Sequence, residues 1–187
     1  EIHVELATES KMFTSAPNAA SPNQYDAEPN TLVDPVVMAL PGSLPVINRR
    51  AVSMAMRVGL ALNCTVARFT KWDRKNYFYP DLPKGYQISQ FDKPLCVDGV
   101  IEIGEEKKPV NIIRAHLEED TARLQHHAGA DGESYSLIDI NRAGSALMEV
   151  VGEPDLRSPE EARQYLIKLR RSLQYLGVSS GNMQEGS

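Results

Sequence analysis

The sequence predicts an α+β fold, in which helices flank an antiparallel or mixed sheet. Polar and apolar residues alternate strictly over residues 1–6, as in a strand with one buried face. The strands that follow are separated by short turns rather than by helices, so neighbours in sequence should pair antiparallel. Residues 158–177 carry the strongest helix signals in the chain. Together, these observations indicate a sheet with helices packed against it.

The remaining strands are predicted from alternation and from turn residues. They are expected at residues 34–40, 66–69, 112–120, 135–141 and 147–151. Residues 95–103 are predicted to form a hairpin, because Asp98-Gly99 is a strong two-residue turn signal. Lys107-Lys108-Pro109 makes a second turn, into the strand at 112–120. By contrast, residues 14–35 are rich in Pro, Asn and Ser and are expected to form a long loop.

Two helices are predicted from their capping residues. Asn48 can cap a helix that runs to about Asn63. Ser158 and Pro159 start the second helix, and Gly177 ends it. One apolar stripe of the second helix is expected to face the core. Its members are Ala162, Tyr165, Leu166, Leu169, Leu173 and Leu176.

The composition suits one folded domain, or one domain with an appendage. The chain has 187 residues, of which 42% are hydrophobic and 24% charged, so it can bury a core. Its net charge of −5 gives no overall attraction for nucleic acid, so any such contact should be local or made elsewhere. Cys64 and Cys96 are expected to be free, buried thiols. No membrane span or signal peptide is visible.

The most informative stretch is the strand predicted at residues 112–120. Its apolar residues Ile113, Ala115 and Leu117 should share one face. The opposite face carries Arg114, His116, Glu118 and Asp120. Carboxylates this close repel each other unless a cation lies among them, which indicates a divalent-metal site or pairing with Arg114. The alternative is a solvated strand end that runs into an acidic helix N-terminus.

Further acidic residues could complete such a site. The polar face of the first strand carries Glu1, His3 and Glu5, although alternating polar residues are common on the exposed faces of strands. Glu149 stands among apolar residues of a strand, where a carboxylate is costly unless it is paired or bound. Arg142 or a metal ion could satisfy it. Glu185, in the C-terminal tail, offers one more acid.

Residues 71–90 combine aromatic side chains with lysines, an arginine and prolines. Aromatic rings can stack on bases while cations bind phosphates, which favours a contact with a nucleotide or nucleic acid. The alternative is a proline-braced loop that packs its rings onto the core. Lys75, if held rigidly, would suit a transferring phosphoryl group.

Familiar nucleotide and metal motifs are absent from the sequence. It has no GxxxxGK[ST], GxGxxG, CxxC or HExxH pattern. An ATP-using enzyme of this kind would instead hold Mg²⁺ with acids and phosphates with Arg and Lys. The adjacent His126 and His127 are expected to be exposed on a loop, and their spacing does not suit one metal ion.

Six groups of residues in the chain form specific strings. They are Glu1–Val4, Pro41–Val46 with Asn48, Asp73–Asp81 with Tyr86–Gln90, His116–Asp120, Asn141–Gly144 and Glu153–Pro159. Taken in order over essentially the whole chain, these strings resemble the GatB subunits of the aspartyl/glutamyl-tRNA amidotransferases, the GatB/GatE family. The aromatic–lysine string is the most specific part of the resemblance.

The resemblance implies an ATP- and Mg²⁺-dependent ligase of protein biosynthesis. Such enzymes phosphorylate the esterified side-chain carboxylate of Glu-tRNA(Gln) or Asp-tRNA(Asn), and ammonia from the amidase subunit displaces the phosphate. The implied partners are that amidase subunit (GatA), the small subunit GatC and the misacylated tRNA, in the bacterial cytoplasm or an organellar matrix. The implied fold resembles the catalytic domain of glutamine synthetase.

The resemblance also implies that residues 1–187 are the N-terminal part of the catalytic (cradle) domain. The chain starts at Glu1 without Met and stops just after Gly186, so further sequence is expected at both ends. The helical and tail domains that hold tRNA in the family would lie beyond residue 187. This fragment is therefore expected to be inactive alone.

The family motifs imply roles for individual residues. The implied catalytic residues are Glu1, His3, Lys75 and Glu119, and the implied metal ligands are His3, Glu118 and Glu119. Lys75, Arg142, Glu149 and Glu185 would contact ATP. Alternation places Glu118 beside His116 while the motif favours Glu119 at least equally, so both stay open. Some members carry a zinc-binding Cys cluster where this chain has Thr14, Ala16, Asp34 and Val37, so no zinc is expected.

Two other functions are compatible with these residues. The chain could be a noncatalytic fragment that docks onto the amidase subunit, although docking does not require acidic and imidazole side chains gathered at one site. It could also be an unrelated Mg²⁺-dependent phosphotransferase that acts on a small acid. A metal titration tests the first alternative, and dependence on charged tRNA tests the second.

Overall fold

The computed structural model describes residues 1–129 and 132–182, and the α+β prediction is confirmed. Five strands form an antiparallel sheet in the order β1-β9-β6-β5-β2, while β3–β4 and β7–β8 form separate two-stranded sheets. The strands are β1 (Ile2–Glu5), β2 (Thr65–Val66), β3 (Asp73–Asn76), β4 (Tyr86–Ser89), β5 (Cys96–Ile103), β6 (Lys108–Glu119), β7 (Arg123–Ala128), β8 (Ser134–Asp139) and β9 (Ala146–Gly152). The helices are α1 (Arg49–Ala61) and α2 (Pro159–Leu176). The likeness to glutamine synthetase stays a prediction.

Both helices begin and end as their capping residues predict. The Asn48 side chain accepts hydrogen bonds from the first backbone amides of α1. Ser158 does the same for α2, and Gly177 ends that helix with a φ of +63°. The buried stripe of α2 includes Tyr165, Leu169 and Leu173. Leu166, predicted to be buried, is instead 50% exposed.

The predicted strand at residues 34–40 is wrong, because this segment forms consecutive turns. The Asp34 carboxylate accepts a hydrogen bond from the Val37 amide, and the Leu40 amide donates to the Pro35 carbonyl. An Asp followed by Pro is well suited to start such a turn, because the side chain caps it and the proline fixes φ. This local chemistry outweighs the apolar pattern.

The predicted hairpin turn at Asp98-Gly99 is also wrong. β5 runs unbroken through this dipeptide and pairs with β6 on both sides of it, Cys96 with Ala115 and Gly99 with Ile112. Asp98 has a φ of +57°, so the dipeptide makes a local irregularity instead of a turn.

The register of β6 explains why the prediction for one apolar residue, Ile113, is wrong. A bulge between Ile112 and Arg114 shifts the pairing of β6 with β9. As a result Ile112 is buried with Ala115 and Leu117, while Ile113, predicted to share their face, is 43% exposed. β6 continues to Glu119, so Glu118 and Glu119 lie in a strand, and Asp120 follows it in a connection to β7 and not at a helix N-terminus.

Three other segments were incompletely predicted. Residues 71–90, for which a proline-braced loop was one of two alternatives, contain the β3–β4 hairpin, in which Lys75 pairs with Gln87. His126 and His127 are exposed as expected, but they lie in β7 and not on a loop. Of the strand predicted at 66–69, only Val66 is in a strand, β2. No helix among residues 1–129 and 132–182 is long and apolar enough to cross a membrane.

Replacing Gly99 by Ala is expected to destabilise the fold, because β5 passes very close to the end of α1. A Cβ at this position would lie 2.8 Å from the Leu62 carbonyl oxygen and would also collide with the Cys64 thiol. The same carbonyl accepts a hydrogen bond from the Val100 amide, so it has little room to move. We expect a loss of about 1–3 kcal/mol in urea-induced unfolding. Gly152→Ala, whose Cβ would meet its nearest atom at 3.3 Å, should cost less; equal losses would contradict this explanation.

Candidate functional site

Three adjacent strands bring imidazole and carboxylate side chains together on one face of the sheet. His3 on β1 lies opposite Glu149 on β9, and Glu149 lies opposite His116 on β6. Directly paired residues share a face, and Glu118 is two residues beyond His116 on the same face. We call His3, His116, Glu118 and Glu149 the His–Glu cluster.

The four side chains of the His–Glu cluster are within contact distance of one another. The Nε2 atom of His3 lies 3.3 Å from Oε1 of Glu118 and 3.7 Å from Oε2 of Glu149. The Nε2 atom of His116 lies 3.2 Å from the same Glu149 oxygen and 3.8 Å from Oε2 of Glu118. Each imidazole therefore faces both carboxylates.

Burial differs across the His–Glu cluster. His116 and Glu118 are buried, whereas the His3 side chain is 52% exposed. Burial by itself raises the pKa of Glu118, but hydrogen bonds with His116 and Ser89 outweigh it and lower that pKa below its ordinary value. The Ser89 hydroxyl donates to Oε2 of Glu118 at 3.0 Å. The cluster thus holds a carboxylate in its charged form beside an opening to solvent.

This donor set fits a divalent cation. One ligand atom each from His3, Glu118 and Glu149 lies within 4.8 Å of the other two. Two carboxylates and an imidazole are ligands that Mg²⁺ or Mn²⁺ accepts. The Nδ1 atom of His116 is buried with no hydrogen-bond partner among the described residues. Because Nε2 of His116 faces both acids, it can orient their carboxylates.

Glu119 points to the other face of β6, away from the His–Glu cluster. Its carboxylate lies 2.8 Å from the Lys84 ammonium and accepts a hydrogen bond from the Ile88 amide at 2.9 Å. The Gln87 side chain donates to the Glu119 carbonyl. Glu119 therefore fastens the β3–β4 hairpin to the main sheet. Of the two acids left open by the sequence, Glu118 is the one that contacts His3, and a catalytic or metal role for Glu119 stays a prediction.

The other predicted site residues are not brought into the cluster. Glu1 is exposed just before β1, and Lys75 is exposed on β3. Arg142 donates to the Thr121 carbonyl and lies 3.4 Å from the Asp120 carboxylate. Glu185 lies outside the described residues. Roles for these residues stay predictions.

Sequence reasoning left one feature of the site open and missed another. Glu149 was expected to contact ATP, or to be satisfied by Arg142 or a metal ion. The order of the strands, which local patterns do not reveal, brings its carboxylate to His3 and His116. Lys84 was not singled out, and it forms the buried ion pair with Glu119. The only local hint at Lys84 was its position between Pro83 and Gly85, which is a turn signal and not an ion-pair signal.

Thr14, Ala16, Asp34 and Val37 stand where the family resemblance implies a cysteine cluster in some members. The Thr14 hydroxyl donates to the Asp34 carboxylate, while Ala16 and Val37 are buried in a small apolar cluster. Together the four offer one carboxylate and one hydroxyl, which does not match the Cys and His ligands of a structural zinc site. Absence of zinc stays a prediction.

Comparison with known proteins identifies the family. The sequence model of the GatB/GatE catalytic domain matches residues 1–187. The whole chain is 59% identical to the GatB subunit of the aspartyl/glutamyl-tRNA(Asn/Gln) amidotransferase of Thermomicrobium roseum, and 56% identical to the corresponding proteins from Dehalococcoides mccartyi (strain CBDB1) and Shouchella clausii. It spans 38% of the length of each of these relatives. The chain therefore belongs to the GatB/GatE catalytic domain family.

Proposed function

We propose that this chain forms the metal-holding part of a kinase site in a glutamyl/aspartyl-tRNA amidotransferase. The substrate is the side-chain carboxylate of Glu-tRNA(Gln) or Asp-tRNA(Asn), and the phosphoryl donor is ATP. The observation that carries the proposal is the His–Glu cluster, whose donor set suits a divalent cation, in a chain whose relatives are named as amidotransferase subunits.

The proposed chemistry overcomes the poor reactivity of a carboxylate. A carboxylate oxygen attacks the γ-phosphorus of ATP and ADP leaves, which converts the side chain into an acyl phosphate. Ammonia then attacks the acyl carbon, and inorganic phosphate leaves as the amide forms. A bound divalent cation offsets negative charge on the phosphates.

Different residues of the chain would bind the cation, orient its ligands and bind phosphate at this site. His3, Glu118 and Glu149 would hold the cation, and His116 would orient the two carboxylates through its Nε2 atom. Exposed Lys75 is available to bind a phosphate oxygen. Arg142 is already engaged with Asp120 and Thr121, so it would have to leave them to reach ATP.

The proposal includes partners and a location. Ammonia would come from the amidase subunit GatA, assembled with GatC, in the bacterial cytoplasm or an organellar matrix. The net charge of −5 favours an arrangement in which tRNA is held mainly by regions beyond residue 187.

Metal binding by the full-length chain tests the site directly. We expect Mn²⁺ affinity, measured by calorimetry, to fall at least about 10- to 100-fold in His3→Ala, Glu118→Gln and Glu149→Gln, because each removes a ligand or its charge. His126→Ala is the matched control, since His126 is exposed and contacts Ser136 instead of the cluster. Glu119→Gln should retain metal affinity if the carboxylate of Glu118, and not that of Glu119, is the ligand.

Activity of the complete enzyme tests the reaction. ADP release should require misacylated tRNA and should be lost in Glu118→Gln while His126→Ala retains it. ADP release with free glutamate in place of tRNA would favour the small-acid phosphotransferase. Unchanged metal binding and activity in all three cluster variants would leave only the docking role.

A further inference from the structure

Within residues 1–129 and 132–182, no strand pairs with the outer edge of β1. β1 is the last strand of the five-stranded sheet, with β9 on its inner side. The Leu6 amide donates to the Ala146 carbonyl in the same register, so the even-numbered residues bond inward. The backbone groups of His3 and Glu5 therefore point outward. The Ala7 amide, next in this outward series, donates to the Val178 carbonyl at 2.9 Å.

An apolar groove of about 490 Å³ lies beside this edge, between β1 and α2. Ile2 and Val4 line it from the strand, and Leu166, Leu169 and Leu173 line it from the helix. Leu166 is 50% exposed although it continues the apolar stripe of α2. The helix therefore carries apolar surface beyond the last strand of the sheet.

An unpaired strand edge beside an apolar helix face has the shape of a site for one more strand. Such a strand would bond to the outward groups of β1 and place alternate apolar side chains beneath α2. We propose that the occupant is a segment of the same chain that follows residue 187, added as a sixth strand of the sheet.

Two observations favour the same chain as the source of that strand. The chain spans only 38% of the length of its relatives, so a full-length protein has ample sequence to supply it. On leaving α2 the chain already runs along the groove, where Ser179 and Gly181 line the wall, after Val178 has bonded to Ala7. A tethered strand also has a high effective concentration at the edge.

The added strand would also affect the His–Glu cluster. His3 lies on β1 and its side chain is 52% exposed, so a strand paired with β1 would fix the backbone that carries it. This consequence for metal binding depends on the proposed function, whereas strand pairing at β1 does not.

Hydrogen exchange in the purified full-length chain tests strand addition without any metal or substrate. The amides of His3 and Glu5 should exchange at least about 100-fold more slowly than in an unstructured peptide, together with amides of a segment beyond residue 187. Leu166→Glu should accelerate exchange at both places. Tyr175→Glu, on the same helix but 93% exposed and outside the groove, should change neither.

Three results would overturn the proposal. Fast exchange of the His3 and Glu5 amides in the wild-type chain would show that the edge stays open. Protection that increases with protein concentration would assign the groove to a second copy. Equal exchange in Leu166→Glu and the wild type would show that nothing packs into the groove. Because exchange is read without Mn²⁺, a failed metal titration would leave this test intact.

Discussion

Lys84→Met is expected to lower the free energy of unfolding by about 3–5 kcal/mol, because it leaves the Glu119 carboxylate buried without its cation. Only 10% of the Lys84 side chain and 2% of the Glu119 side chain are exposed. Methionine keeps most of the apolar length of lysine, so lost packing contributes little. After the substitution, the Ile88 amide is the remaining hydrogen-bond donor to that carboxylate among the described residues.

A double-mutant cycle separates charge burial from other effects. Glu119→Gln alone should also destabilise the protein, because it leaves the buried Lys84 ammonium without its carboxylate partner. Combining it with Lys84→Met should cost less than the sum, since glutamine can still accept from the Ile88 amide and no unpaired charge remains. Strictly additive losses would count against the ion pair.

An exposed ion pair provides the matched control. Arg163 and Glu160 on α2 are 2.7 Å apart, a distance close to that of Lys84 and Glu119, but both side chains are more than half exposed. Arg163→Met should therefore change the urea midpoint far less than Lys84→Met. Similar shifts for the two variants would show that burial is not what makes the Lys84–Glu119 pair important.

The confirmed parts of the fold are those set by local chemistry. Asn48, Ser158 and Gly177 act within one helical turn of their own position, so their neighbours in sequence suffice to predict them. The alternation in residues 1–6 is equally local, because a strand with one buried face needs that pattern wherever it pairs.

The wrong predictions arose where one local signal serves two structures. Asp98-Gly99 provides a residue with positive φ, which suits a hairpin turn but also an irregular position inside a strand. Pairing with β6 on both sides decides between them, and that pairing is a long-range property. The bulge that exposes Ile113 is similarly set by β9.

In the candidate site, too, local patterns predicted some contacts and long-range strand pairing determined the others. Alternation along β6 correctly grouped His116 with Glu118, and the family motifs pointed to His3. That Glu149 joins them depends on β9 lying between β1 and β6, which follows from packing of the whole sheet and not from any spacing in the sequence. The Lys84–Glu119 contact likewise depends on how the β3–β4 hairpin folds over β6.

A second large effect is expected from pH, through Glu5. This residue is 3% exposed, and burial together with a hydrogen bond to Asp120 raises its pKa from 4.5 to about 9. A carboxyl group with a higher pKa in the folded chain binds more protons when folded than when unfolded between those two values. Its contribution to stability is therefore full at acid pH and is lost as the pH rises from about 4.5 toward about 9.

Glu5→Gln isolates this contribution, because the glutamine amide can donate to Asp120 as the protonated carboxyl does but does not ionise. We expect the unfolding free energy of the variant, measured by urea titration, to rise relative to that of the wild type by about 2–4 kcal/mol between pH 5 and pH 8. Glu160→Gln is the control: its partner Arg163 lowers the pKa of Glu160 to about 2, so its difference from the wild type should stay constant over that range. If the unfolding free energies of Glu5→Gln and the wild type changed with pH in parallel, Glu5 would be ionised in the folded protein. Arg142, and not a shared proton, would then balance the carboxylates of Glu5 and Asp120.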